Sequence, residues 1–135
     1  METYLEQKKR HQAEYSAFEG IFFAFSTEQL KEGIEKFGVN EDNKMVNIGA
    51  GGFVLKSRLQ ALKDMLSRHD TERKELRKDT NKLIDAIAYE LANHEYCITY
   101  NVEDALRALD LTVDSVPADI LKKAIKKHNE RMVNV

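Results

Sequence analysis

The most apolar stretch of the chain, residues 21–25 (IFFAF), is followed at once by a helix start. Apolar side chains at consecutive positions are typical of a strand that is covered on both faces. Ser26 and Gln29 match a capping box, in which side chains accept hydrogen bonds from the free amides of the first turn. The helix is predicted to run to Phe37 and to end at Gly38. We therefore expect this strand to be the structural centre of the molecule.

A second apolar block surrounds a run of glycines. Residues 45–48 are predicted to form a short strand, and residues 49–52 (GAGG) to form a turn. Residues 53–55 (FVL) are again apolar and form the second arm. This pattern suggests a β-hairpin, although the second arm could be helical instead. The order strand–helix–strand from residue 21 to residue 48 would equally permit a parallel pair.

The remaining segments carry helical periodicity. A helix is predicted over residues 3–17, and residues 57–100 contain neither glycine nor proline. Ser57 and Gln60 match another capping box, and residues 79–81 (DTN) offer capping residues for a break. We expect a helical hairpin there, with one long helix as the alternative. A short helix follows Asn101, and Pro117 is suited to the first turn of the last helix.

These elements predict one mostly helical α+β domain with a small two- to three-stranded sheet. Its predicted segments are an N-terminal helix (1–20), a strand-helix-strand or hairpin core (21–56), a helical hairpin (57–100) and C-terminal helices (101–135).

Composition indicates a globular chain with a heavily charged surface. Of the 135 residues, 42% are apolar and 33% are charged, and the net charge is -2. This balance argues against a protein built wholly around nucleic-acid binding. One cysteine fits a reducing compartment, and the sequence lacks both the apolar run of a membrane span and the apolar centre of a signal peptide. We therefore expect a cytoplasmic protein without a membrane partner.

The glycine block invites a comparison with phosphate-binding loops, because it precedes Lys56, Ser57 and a helix start. Backbone amides in such turns do bind anions. The Walker pattern requires glycine directly before the lysine, however, and Leu55 stands there. The dinucleotide pattern G-x-G-x-x-G does not fit either. We favour a tight turn and predict no cofactor.

A candidate metal site is formed by Glu90, His94 and Cys97, which would share one side of a continuous helix. The zinc motif H-E-x-x-H is incomplete, because Ile98 replaces the second histidine. We favour a helix end at which His94 and Tyr96 form hydrogen bonds at the edge of the core. A metal-dependent enzyme is the weaker alternative, and no catalytic residue is predicted.

Two clusters of basic residues could contact phosphates. Aromatic residues for base stacking are not interleaved with them, so a solvated face is favoured and polyanion binding is the alternative. The candidate binding residues are Arg73, Lys74, Arg77, Lys78, Lys122, Lys123, Lys126 and Lys127.

Three blocks carry a resemblance to a known family: residues 22–29 (FFAFSTEQ), residues 48–53 (IGAGGF) and residues 89–96 (YELANHEY). In order and spacing they resemble a family of small uncharacterised proteins encoded by bacterial phages and mobile elements. The likeness covers roughly residues 12–125. It implies no catalytic residue.

What the resemblance implies is a context, since small accessory proteins of phages commonly act by binding. The leading hypothesis is an inhibitor of a host defence nuclease, similar to an anti-CRISPR protein, that binds a host protein or protein–nucleic-acid complex in the bacterial cell. The second hypothesis is a nucleic-acid-binding accessory protein.

Overall fold

The computed structural model describes residues 2–41 and 43–133. It is a mostly helical α+β fold with a small three-stranded antiparallel sheet, so the predicted fold class is confirmed. In chain order the elements are α1 (Tyr4–Ser16), β1 (Ile21–Phe23), α2 (Thr27–Phe37), β2 (Met45–Gly49), β3 (Gly52–Leu55), α3 (Leu59–Arg77), α4 (Thr80–Asn93), α5 (Tyr96–Thr99), α6 (Glu103–Arg107) and α7 (Ala118–Val133).

The chain divides into two compact units. The sheet unit comprises residues 11–71, and the helical unit comprises residues 1–10 and 72–135. Within the described residues, no helix combines the length and the apolar character that crossing a membrane requires.

In the sheet unit the strands lie in the order β1-β3-β2, and each neighbouring pair is antiparallel. The hairpin prediction for β2 and β3 is therefore confirmed, and the parallel alternative was wrong. Ala50 and Gly51 form the two-residue turn with φ values of 52° and 78°. Positive φ at both positions is the condition for the turn whose twist matches a hairpin.

Helix α2 covers one face of this sheet. Phe22 stacks between Phe37 and Phe53, with ring centroids 5.3 and 5.4 Å apart. The Phe22 ring lies so close to Gly33 that any Cβ there would overlap it. Glycine in the middle of α2 is thus explained by the close approach of helix and strand.

The caps of α2 largely follow the prediction. The Ser26 hydroxyl accepts a hydrogen bond from the Gln29 amide at 3.2 Å. The Gln29 side chain, however, accepts from the Phe25 amide at 2.7 Å rather than from Ser26. Gly38 ends the helix in the left-handed conformation with φ 61°.

The expectation that residues 21–25 form a strand covered on both faces was wrong. The strand ends at Phe23 and lies at the sheet edge, while β3 is the central strand and its Val54 is fully buried. Because side chains alternate along a strand, Phe22 turns toward α2 and Phe23 turns away from it. Phe23 is 47% exposed and Phe25 is 76% exposed.

In the helical unit, α4 and α7 enclose the core with α6. Ile87 and Leu91 of α4, Leu106 of α6 and Ala124 of α7 are completely buried. An ion pair of Asp85 with Lys127 at 3.2 Å joins α4 to α7 at the surface.

The helix ends test the other capping predictions. The predicted break at residues 79–81 is confirmed, because Asp79 caps α4 by accepting from the Lys82 amide at 3.1 Å. The predicted capping box at Ser57 was wrong. The chain enters α3 through a 3₁₀ turn without a side-chain cap, and the Gln60 side chain donates to Asp64 instead.

Candidate functional site

The carboxylate of Glu90, which is buried on α4, is a highly connected polar group of the helical unit. It accepts hydrogen bonds from the Tyr4 hydroxyl at 2.6 Å and from Lys8 Nζ at 2.7 Å. Asn93 Nδ2 donates to its other oxygen at 3.4 Å, and His94 Nε2 lies 3.3 Å from that oxygen. Donors from both α1 and the end of α4 therefore converge on one buried charge.

The pKa shifts in this cluster follow from the contacts. Burial alone would raise the pKa of Glu90, but the hydrogen bonds from Lys8 and Tyr4 outweigh it and hold the pKa below its usual range. Burial, and then the hydrogen bond to Glu90, raise the pKa of the Tyr4 hydroxyl. Glu90 is thus an anion held by donors, an arrangement that fixes α1 against α4.

The metal hypothesis depended on a continuous helix through Glu90, His94 and Cys97. Helix α4 ends at Asn93, and Glu95 takes a left-handed conformation with φ 57° before α5 begins. The structure brings His94 to Glu90 as predicted, whereas Cys97 lies on a separate short helix and is exposed. In the described part of the chain, no three side chains of His, Cys, Asp or Glu are arranged to hold a metal ion.

A second buried polar cluster lies in the sheet unit, where His11 of α1 stacks on His69 of α3. The ring centroids are 3.8 Å apart and the planes differ by 13°. Glu14 contacts His69 Nε2 and accepts from Arg68 at 3.0 Å. The His69 contact, and then Arg68, lower the pKa of Glu14 to about 2. Glu14 lies 55 residues from His69 in the chain, so no local sequence pattern reveals this contact.

The basic residues differ in how far they are engaged. On α3 and just after it, Lys78 pairs with Glu75 at 2.7 Å, and Arg73 and Lys74 also have interaction partners. On α7, Lys127 pairs with Asp85.

The lysines at positions 122, 123 and 126 differ from Lys127. They are exposed on α7, and among the described residues none of them has an ion-pair partner. The two predicted basic clusters are therefore unlike: the first is largely paired, and the second contains available cations.

An apolar surface not predicted from the sequence lies at the hairpin turn. We call it the hairpin surface, formed by Phe23, Phe25 and Ile48 over Gly51 and Gly52. A Cβ at Gly51 would lie 2.5 Å from Phe25 Cε1, and one at Gly52 would lie 3.0 Å from Ile48 Cγ1 and 3.1 Å from Phe23 Cε1. The exposed fractions are 47% for Phe23, 76% for Phe25 and 36% for Ile48. The glycines thus form a floor on which three solvent-facing apolar side chains rest.

The sequence did not reveal this surface, because residues 21–25 are apolar throughout and resemble a core strand. Only the position of α2 decides which of their side chains are buried.

Comparison with known proteins assigns the chain at the level of family. No match was found among curated proteins, and none among solved structures. A family model described as a family of unknown function, DUF7659, matches residues 3–131. This confirms the prediction of an uncharacterised family, over a longer range than the three sequence blocks. The chain belongs to the DUF7659 family.

Proposed function

We propose that this protein acts by binding a protein partner through the hairpin surface. The observation that carries the proposal is the exposure of Phe23, Phe25 and Ile48 around two consecutive glycines of the hairpin turn. Single exposed apolar residues are normal on a protein, but neighbouring large ones mark interaction sites. Aromatic side chains are also enriched in the centres of protein interfaces.

The geometry suits a preformed anchor. The absence of a side chain at Gly51 and Gly52 lets these apolar side chains lie directly against the backbone of the turn, so part of each is packed before a partner binds. The strand β1 beside them is an edge of the sheet, and its outward amides and carbonyls are available to a partner's backbone. A partner with a flat or concave apolar patch would contact both the three apolar side chains and the edge strand.

The resemblance to phage and mobile-element proteins supplies a proposed context. In that context the partner is a host defence nuclease or its nucleic-acid complex, in the cytoplasm of the bacterial host. Binding without catalysis is sufficient for such an inhibitor.

The test compares two substitutions of exposed apolar residues. Phe25→Ser removes the most exposed ring of the hairpin surface, and Ile98→Ser changes a residue of the helical unit that is 72% exposed. A partner is first captured from host lysate, then purified and titrated with each variant. We expect Phe25→Ser to weaken binding by about 30-fold or more, the range of an interface hot spot. Ile98→Ser should bind as the parent does.

Two results would contradict this proposal. One is the absence of any stoichiometric protein partner. The other is an equal effect of both substitutions, with circular dichroism showing that both variants are folded.

A second candidate function is nucleic-acid binding by α7, favoured by the exposed lysines 122, 123 and 126. These cations protrude from one helix, and in the portion of the chain that is described no carboxylate neutralises them. The proposal predicts binding to single- or double-stranded DNA that falls steeply as salt rises.

A gel shift tests this second candidate. Lys122→Glu together with Lys123→Glu should abolish the shift, while Lys31→Glu together with Lys63→Glu on the sheet unit should not. Lys127 is left unchanged, because it pairs with Asp85. No shift for the parent protein at low salt would exclude this function.

A further inference from the structure

We infer that the sheet unit carries a binding site for a phosphoryl anion, formed by Lys44, Lys56 and Ser57 at the open end of the β2–β3 hairpin. This site lies at the opposite end of the hairpin from the Ala50-Gly51 turn, and it is independent of the hairpin surface.

Strand register places the two lysines opposite each other. Met45 pairs with Leu55, and the ladder continues with a hydrogen bond of 2.7 Å from the Lys56 amide to the Lys44 carbonyl. Opposed residues of an antiparallel pair have Cα atoms about 5.5 Å apart. Like charges directly opposite one another destabilise such a pair. The pairing of two lysines is therefore unfavourable, and an anion bound by both would offset their repulsion.

Both lysines line one cavity. It has a volume of about 390 Å³, and its walls are Glu41, Asn43, Lys44, Lys56 and Ser57. Lys44, Lys56 and Ser57 are exposed, so a ligand can reach them from solvent. The Asn43 amide nitrogen is already engaged, since it donates to the carbonyls of Phe37 and Gly38. The donors left for a ligand are the two ammonium groups and the Ser57 hydroxyl.

Among the described residues, no carboxylate pairs with either lysine. Within residues 2–41 and 43–133, neither Lys44 nor Lys56 forms an ion pair, and Glu41 forms none although it borders the same cavity. Glu41 would repel an anion, so it should limit the affinity of the site rather than create it. Removing the charge of Glu41 should therefore strengthen anion binding, whereas removing the lysine charges should weaken it.

The donor set fits a phosphoryl group. Lysine binds phosphate as a point charge, and a phosphoryl group offers several acceptor oxygens at once, enough for two ammonium groups and one hydroxyl. The glycine turn does not participate, because residues 49–52 lie at the other end of the strands. The site thus differs from a phosphate-binding loop, in which backbone amides hold the ligand.

The experiment is an NMR titration of the full chain with inorganic phosphate, with ionic strength held constant by sodium chloride. We expect saturable shifts of the amide signals of Lys44, Lys56 and Ser57. Lys44→Gln together with Lys56→Gln should weaken binding at least tenfold, and Glu41→Gln should strengthen it severalfold. A parallel titration with a nucleoside monophosphate distinguishes the free ion from an esterified phosphate as the tighter ligand, and saturation by either one supports the site.

The control variant carries Lys31→Gln and Lys63→Gln, which remove the same charge from the same unit away from the cavity. It should bind phosphate as the parent does. Shifts that follow ionic strength instead of phosphate would overturn the inference, as would an equal loss of affinity in the control variant. A Glu41→Gln variant that binds phosphate more weakly would also overturn it.

Discussion

Replacing Glu90 with glutamine tests whether the buried carboxylate stabilises the helical unit through its charge. Glutamine keeps the length of the side chain and one oxygen that can accept from the Tyr4 hydroxyl. The same oxygen faces Lys8, whose ion pair is lost, and the new amide donor replaces the oxygen that had accepted from Asn93. The substitution therefore removes charge and reverses one hydrogen-bonding partner without creating a cavity.

The magnitude follows from the contacts. A hydrogen bond to a charged group contributes about 1.5–3 kcal/mol. The Lys8 side chain is 30% exposed, so water offsets much of the lost charge–charge attraction, and we reduce its share to about 1 kcal/mol. The Tyr4 bond becomes weaker because its acceptor loses its charge, and the Asn93 bond is lost, which together add about 1 kcal/mol. We expect Glu90→Gln to lower the free energy of unfolding by about 2 kcal/mol, and Glu90→Leu, which leaves the Tyr4 hydroxyl unsatisfied, by about 3–4 kcal/mol.

The contribution of Glu90 to stability should also depend on pH. The pKa of Glu90 is lowered in the folded state, so as pH falls the unfolded chain takes up the proton first. The stabilisation is therefore present above the ordinary carboxyl pKa of about 4.3 and is lost as pH falls below it. The difference between parent and Glu90→Gln should shrink from pH 7 to pH 3.

Urea denaturation followed by circular dichroism measures both quantities. Glu130→Gln is the matched control, because Glu130 is exposed on α7 of the same unit. It should leave stability within about 0.5 kcal/mol of the parent. A Glu90→Gln protein as stable as the parent at pH 7 would refute the reasoning, and so would a difference that grows on acidification.

Three further predictions concern the sheet unit and the α7 core. Phe22→Ala should lower the free energy of unfolding by about 3–5 kcal/mol because the ring is buried, whereas Phe23→Ala, at a half-exposed position, should lower it by about 1–2 kcal/mol. Equal losses in urea denaturation would contradict the assignment of Phe22 and Phe23 to opposite faces of the strand. Ala50→Gly should increase the free energy of unfolding by about 0.5–1 kcal/mol and raise the melting temperature, because φ is 52° there and glycine adopts a positive φ without strain. A lower melting temperature would contradict the turn geometry. Burial, and then the charge of Arg131, lower the pKa of His128. The stability that neutral His128 contributes is therefore complete above pH about 6.5 and is lost as pH falls. His128→Met should flatten the melting-temperature profile between pH 7.5 and 5.5, and an unchanged slope would count against this assignment.

Local signals in the sequence were sufficient for the element boundaries that depend on caps and turns. The Ser26 cap, the Gly38 stop, the glycine turn and the Asp79 cap all act within about four residues of themselves. Each of these features was predicted, and each is present in the structure.

Which side chains are buried, and which polar groups pair, depends on residues far apart in the sequence, and here prediction from sequence failed. Glu90 meets Tyr4 across 86 positions, and no periodicity in either helix specifies that contact. The exposure of Phe23 is decided by α2, which covers only the face that holds Phe22. For the same reason, the hairpin surface resembled a core strand in the sequence.

The glycine floor of the hairpin surface restricts how the sequence of this protein can change. A methyl group at Gly51 would overlap the Phe25 ring, and one at Gly52 would crowd Ile48 and Phe23, so substitutions in the turn and at the surface are coupled. Larger residues at positions 51 or 52 should appear only together with smaller ones at positions 23, 25 or 48. Saturation mutagenesis of these five positions, selected for folding alone, should therefore recover paired substitutions, and the pairs would separate what the fold demands of this surface from what a partner demands.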